Sequence, residues 1–145
     1  MSRDLLAPGP ETLQRIEELT ANSPISEWFG LVTGVENGEH RFRLTFDEPH
    51  IGNPVIRALH GGVISAFLQH AATLEVLSRV GPGVKARSIS VHTSYLRGAR
   101  DQDFVASVKI ERIGRRIAFV EARGWQGSED EAIGSSAIAL RLFED

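Results

Sequence analysis

The sequence predicts an α+β fold in which an antiparallel β-sheet wraps around one long central helix. Three observations carry this. Residues 59–77 open with His60-Gly61-Gly62 and then repeat Val63, Ala66, Phe67, Ala71, Leu74 and Leu77 near the 3.6-residue spacing. Ile64, Leu68, Ala72 and Val76 fill the flanks, so this helix is apolar around most of its circumference and is expected to be buried. Residues 86–96, 103–113, 116–126 and 132–143 are rich in β-branched and apolar residues and are separated by Gly-Ala-Arg, Gly-Arg-Arg and Gly-Ser-Glu-Asp turns, which reads as a long meander. Upstream, Asn37-Gly38 is a strong hairpin signal between two short alternating runs.

Taken in order, Pro8-Gly9-Pro10 breaks the chain before an amphipathic helix over 11–20 that carries Leu13, Ile16 and Leu19. Asn22-Ser23-Pro24 ends it, and Trp28-Phe29 is an aromatic pair expected to enter the core near the first strand. The hairpin follows over 30–35 and 39–46, with Phe42, Leu44 and Phe46 on its buried face. Gly52-Asn53-Pro54 marks a loop that delivers the chain into His60, and Gly81-Pro82-Gly83 stops the central helix. In the final strands Ile89, Val91, Ile117 and Phe119 alternate with polar residues, so one face is expected to cover the helix. Trp28, Phe29, Phe42, Phe46 and Phe67 all read as core.

At 145 residues with 41% apolar content the chain suits a single domain over 1–145, with an N-terminal helical extension at 1–24. A net charge of -3 without a long basic run argues against nucleic acid as a partner. The absence of cysteine removes disulfides, thiolate metal sites and a cysteine nucleophile. The N-terminal stretch from Met1 and Ser2 to Pro10 lacks a signal-peptide core, and no apolar run approaches a membrane span, so a cytoplasmic protein without a membrane partner is expected. His40, His50, His60, His70 and His92 are isolated singles, and no metal site is expected.

Chemistry should lie where polar residues survive in the apolar helix: Ser65, Gln69, His70, Thr73 and Glu75 each need a partner, solvent or a function. Gly61 and Gly62 leave backbone N–H donors open to a carbonyl oxygen or anion at the helix N-terminus. His60 reads either as an acid–base group or as a cap. His70 is about 100° around the helix from Gln69 and reads as an interface or satisfied buried histidine. Glu75 lies too far around the axis to act beside Gln69 and is expected to meet solvent or an arginine.

Three segments in this order, 59–64 opening the helix, 88–97 as Ser-Ile-Ser-Val-His-Thr-Ser-Tyr-Leu-Arg, and 112–119 as strand, turn and strand, resemble the hotdog-fold acyl-CoA thioesterases of the phenylacetate-pathway, PaaI-like group. The resemblance covers nearly the whole chain after the first helix. It implies a hotdog fold, a homodimer or homotetramer, and sites at the dimer interface. The implied substrate is an acyl-CoA, with coenzyme A arriving as part of it and no separate cofactor. In such enzymes the N–H after the motif histidine, here Gly61, polarises the thioester carbonyl, the histidine itself usually being structural. A polar side chain before it assists, for which Asn53 is the candidate, with one extra residue in the spacing. Nine residues after His60 the family carries Asp or Glu, whereas this chain has Gln69. An amide can hold water but cannot take its proton. Thr73 and Ser88 match further polar positions, and Gly62, Arg97, Arg115 and Arg116 are candidates to bind substrate, the arginines through coenzyme A phosphates. The implied function is hydrolysis of an aryl- or fatty-acyl-CoA; the alternative is a non-catalytic acyl-CoA or small-molecule binding protein that kept the pocket. A hydratase of this fold would need an Asp-His pair that the sequence does not supply.

Overall fold

The computed structural model describes residues 3–145; Met1 and Ser2, at the head of the N-terminal stretch discussed above, lie outside them. Helices α1 (Pro10–Thr20) and α2 (Pro24–Phe29) precede the hairpin β1 (Val32–Glu36) and β2 (Glu39–Leu44). A small pair, β3 (Ile51–Asn53) and β4 (Ala58–Leu59), leads into α3 (Gly61–Val80). Strands β5 (Lys85–Tyr95), β6 (Phe104–Ile113), β7 (Ile117–Trp125) and β8 (Gly134–Phe143) complete the chain. The six long strands form one antiparallel sheet in the order β1-β2-β6-β7-β8-β5, and α3 lies across it. This is the hotdog arrangement. Among the described residues no helix is long and apolar enough to cross a membrane.

The sheet departs from the expected pattern in its strand order and in one face. The four C-terminal strands are not one meander: β5 lies at the far edge against β8, and β6 takes β2 as its other neighbour. The connection over 96–103 permits this, because eight extended residues reach roughly 26 Å and three strand spacings are only about 14 Å. The apolar face of β7 is also inverted. Ala118, Val120 and Ala122 face the helix and are buried, whereas Ile117 and Phe119 are 39% and 40% exposed on the other side. Small residues let the backbone of α3 approach the sheet, a role the larger side chains cannot fill.

The core is built around an edge-to-face aromatic chain, Phe29 to Phe67 at 5.2 Å and Phe67 to Phe104 at 6.1 Å between centroids, all three fully buried. Phe29 therefore enters the core as expected. Trp28 does not: α2 turns it about 100° from Phe29, and it is 44% exposed. The helix α2 itself, with Ser23 Oγ accepting from Ser26 N–H and Pro24 at the first position, has its cap and start signals in the sequence but is too short to show periodicity.

Candidate functional site

The first turn of α3 has four backbone donors with no intrahelical partner. His60 is the N-cap, and its Nδ1 accepts from Gly62 N–H at 2.8 Å. Its carbonyl accepts from Val63 and Ile64 at 3.0 and 3.2 Å. Among the described residues, Gly61 N–H alone of the four has no acceptor. The histidine is thus committed as a cap, since the lone pair on Nδ1 that a base would use is engaged. Gly52 packs directly beneath it: a Cβ there would come within 2.7 Å of His60 Cα, so only glycine fits.

The other end of the Gly61–Gly62 peptide is pinned by Tyr95, whose hydroxyl donates to Gly61 O at 2.7 Å. This is one of three polar rungs between α3 and β5. Ser65 Oγ lies 2.8 Å from Thr93 Oγ1, which lies 2.7 Å from the buried Ser136 Oγ, and Gln69 Nε2 donates to Ser88 Oγ at 2.8 Å. Positions 61, 65, 69 and 73 are spaced by four and share one helix face. Thr73 ends the stripe, its hydroxyl donating back to Gln69 O at 3.0 Å. Gln69, Ser88 and Thr73 are therefore brought together, as the sequence suggests. Tyr95, Thr93 and Ser136 were not singled out from sequence; the four-residue spacing of polar positions in the helix is the signal that pairs them with the strand.

Asn53 sits at the end of β3, exposed, with Oδ1 accepting from Val55 N–H at 3.0 Å and Ile56 N–H at 3.4 Å. That closes its own turn and leaves the side-chain amide hydrogens as its available donors. The same hairpin is held by Arg57, which donates to both oxygens of Glu48 at 2.9 and 2.6 Å and to Asp101 at 3.1 Å. The hydrogen bonds from Arg57 hold the Glu48 carboxyl below its usual range.

The candidate arginines do not converge. Arg97 follows the end of β5 beside Tyr95, at the Gly61 end of the site. Arg115 and Arg116 form the β6–β7 turn, and across β7 and β8 Ala118 is level with Leu140 and Ser88, so this turn lies at the Gln69 end. Within one chain the two groups are separated by most of the length of β5 and cannot grip the same phosphate.

Two histidines serve the fold. His70 Nε2 lies 2.7 Å from Ser26 Oγ, linking α3 to α2, and burial pushes its pKa below the ordinary value. Glu75 meets an arginine, as expected, but not solvent: it is 2% exposed, 2.9 Å from His40 Nδ1 and 3.2 Å from Arg79 Nη1. His40 Nε2 lies 2.7 Å from Thr12 Oγ1 on α1. The hydroxyl–imidazole–carboxylate order resembles a catalytic relay, yet all three residues are sealed from solvent, so it is a clip joining α1, β2 and α3.

The model of the thioesterase superfamily matches residues 57–133, a span that holds Gly61, Gln69, Thr73, Ser88 and the three candidate arginines. No curated protein matches the chain in sequence. Among solved structures, a thioesterase family protein from Silicibacter pomeroyi has a TM-score of 0.81 at 15% identity, covering 92% of this chain and 99% of that one. A thioesterase from Haemophilus influenzae has a TM-score of 0.79 at 19% identity, covering 96% and 95%. The Escherichia coli PaaI protein from the phenylacetic acid degradation operon has a TM-score of 0.77 at 12% identity, covering 92% and 94%.

Proposed function

Given that the chain belongs to the thioesterase superfamily, we propose that it hydrolyses an acyl-CoA thioester, with the free Gly61 N–H as donor to the thioester oxygen and Gln69, Ser88 and Thr73 around the attacking water. The observation that carries this reading is the first turn of α3, where the cap and the helix consume every donor except the one at Gly61. A lone N–H at a helix N-terminus is suited to the charge that grows on a carbonyl oxygen under attack.

Gly61 and Gln69 are eight residues apart on one straight helix, about 12 Å, whereas reacting atoms must approach to about 3 Å. A single copy therefore cannot offer both to one thioester. A second copy, turned so that its Gln69–Ser88 pair faces Gly61, supplies the missing half. The edge strand β5 has eleven residues, is hydrogen-bonded on one side only, and exposes Ile89 and Val91. Such an edge calls for a partner. The working unit is thus a homodimer, or a homotetramer of two such dimers, and sedimentation as a monomer at micromolar concentration would sink it.

Gln69 favours a second reading. Its amide is neutral and hydrogen-bonded, and the nearest carboxylate on the helix, Glu75, is consumed by the clip. Without a base, hydrolysis should be slower by roughly 10²- to 10⁴-fold, and a protein that only binds acyl-CoA could share this architecture. The test is a hydrolysis panel on aryl- and fatty-acyl-CoA with the parent and Gly61→Pro. Proline removes the N–H while suiting the first helical position, and His60, at ψ 131°, already has the backbone a residue before proline adopts. Loss of one such donor should cost about 10²- to 10³-fold. Unchanged activity would remove Gly61 from the site, and no activity on any thioester would favour the binding reading.

A further inference from the structure

The face of the sheet turned away from α3 carries a pair of arginines that no acid neutralises. Arg141 on β8 lies between the buried Leu140 and Leu142, so its side chain leaves the outer face, and Arg87 on β5 is its partner in register. Directly opposed side chains stand about 5 Å apart at Cβ, and like charges in that position destabilise a sheet. Among the described residues neither guanidinium has an acid within bridging distance, the terminal Asp145 being taken by Lys85. Elsewhere the chain does pair such cations: Arg43 bridges to Asp103, and Arg57 to Glu48 and Asp101. The Arg87 guanidinium carbon lies 5.5 Å from the centroid of Phe143, and Arg87, Arg141 and Phe143 border a hollow of about 220 Å³. More positive charge stands close by. Arg3 donates to Gly114 O at 3.1 Å and to Arg115 O at 2.8 Å, and Leu142 N–H donates to Arg116 O at 2.7 Å, which sets the β6–β7 turn against the strand that carries Arg141. Arg3, Arg87, Arg115, Arg116 and Arg141 thus gather at one end of a chain whose net charge is -3.

We propose that Arg87 and Arg141 form an anion site for a phosphate group, free or at the end of a phosphate monoester. Each guanidinium is a rigid fork of donors that stays charged. A carboxylate fills one fork with its two oxygens and leaves the other bare, whereas the oxygens of a phosphate can accept from both. The dianion turns the repulsion across the pair into two attractions, and the hold of Phe143 on Arg87 reduces the freedom lost on binding. Ser88, the next residue along β5, faces α3 and accepts from Gln69, so the strand puts this site and the α3–β5 cleft on opposite faces of the sheet. The anion site therefore stands whether or not the cleft hydrolyses a thioester.

The test is calorimetric titration of inorganic phosphate, phenyl phosphate and acetate into the purified full chain at low, constant ionic strength. Phosphate should bind with a Kd of about 1 mM or below and acetate about 10-fold more weakly or worse. Arg87→Gln and Arg141→Gln should each weaken phosphate by about 10-fold or more, the scale for hydrogen bonds to a charged group. Phenyl phosphate binding more tightly than phosphate would identify a monoester as the ligand, and equal affinity would identify the phosphate group alone. Phosphate should also raise the melting temperature of the parent but not of Arg141→Glu, whose carboxylate takes Arg87 as its own partner. Dephospho-coenzyme A, which has no phosphate monoester, should bind the parent and Arg87→Gln alike. No binding of phosphate or phenyl phosphate at about 10 mM, or an affinity that survives both glutamine substitutions, would overturn the site. So would a melting temperature that phosphate raises equally in Arg141→Glu. A loss of dephospho-coenzyme A affinity in Arg87→Gln would make Arg87 part of the cleft and overturn the separate site as well.

Discussion

Gln69 Nε2 donates to Ser88 Oγ at 2.8 Å across the gap between α3 and β5, and among the described residues Gln69 Oε1 has no protein partner. The amide is therefore oriented, with one acceptor to spare. Replacing it by a carboxylate of nearly the same shape supplies a base where the water of hydrolysis is proposed to lie. Gln69→Glu should raise thioester hydrolysis about 10²-fold or more, the scale of a positioned general base. Ser88 would become the donor to the new carboxylate, and partial burial would raise its pKa. A folded Gln69→Glu protein that binds coenzyme A but gains nothing on aryl or fatty acyl thioesters would hand the lead to the binding reading.

The turn carrying Arg115 and Arg116 is level with the Gln69 end of the cleft, and neither guanidinium has an acidic partner among the described residues. Replacing both by alanine should weaken coenzyme A binding several-fold at low salt, with the difference shrinking toward 1 M, where screening extends to about 3 Å. Titrations at two ionic strengths decide this. An affinity that matches the parent at both would make the turn a solvated one.

Removing Glu75 leaves the buried His40 without its carboxylate partner and takes one acceptor from the partly exposed Arg79. Breaking a buried pair of this kind typically costs about 3 kcal/mol or more, so Glu75→Ala should lower the melting temperature by roughly 10 °C for a chain of this length. Thermal unfolding reads the loss. Because the clip is remote from Gly61, the folded fraction should bind coenzyme A as the parent does, and a change in that affinity would contradict a purely structural role.

His70 gives the fold a dependence on pH of known sign. Burial disfavours its charged form, so the folded state holds fewer protons than the unfolded state, in which the imidazole titrates near its ordinary 6.5. Stability is then fully present above pH 6.5 and is lost as the pH falls through that value, until the lower folded pKa is reached. Urea midpoints measured between pH 5 and 8 should follow this course, and His70→Gln should flatten it. A parent midpoint that rises on acidification through this range would refute the assignment.

The elements with a long uniform period were legible in the sequence: α3, the hairpin at Asn37-Gly38, and four of the strands lie within a few residues of where the pattern puts them. What failed were choices between states of equal local pattern. Ile117-Ala118-Phe119-Val120 alternates equally well in either phase, and only the closeness of α3 decides that the alanine points inward. The place of β5 depends on how far the 96–103 connection travels, which composition does not encode. At the site, the Gln69, Thr73 and Ser88 grouping followed from helix spacing and a known motif. The partner of Glu75 could not be read, because His40 is 35 positions away on another element.

The clip has a further meaning for how this protein can be divided. The stretch matched by the thioesterase superfamily model begins at residue 57, yet the carboxylate buried within it finds its imidazole at position 40, and the imidazole finds its hydroxyl at position 12. Arg79, near the end of α3, likewise donates to Leu6 O at 2.8 Å. The family match and the packing thus draw different borders on the same chain: residues 57–133 do not contain all the partners of the carboxylate buried within them. A fragment cut at the family boundary would leave Glu75 with Arg79 alone and expose the flank of α3 that α1 covers. Grafting the site onto another scaffold, or permuting the chain, therefore has to carry the first forty residues along or replace the Glu75 side chain with an apolar one.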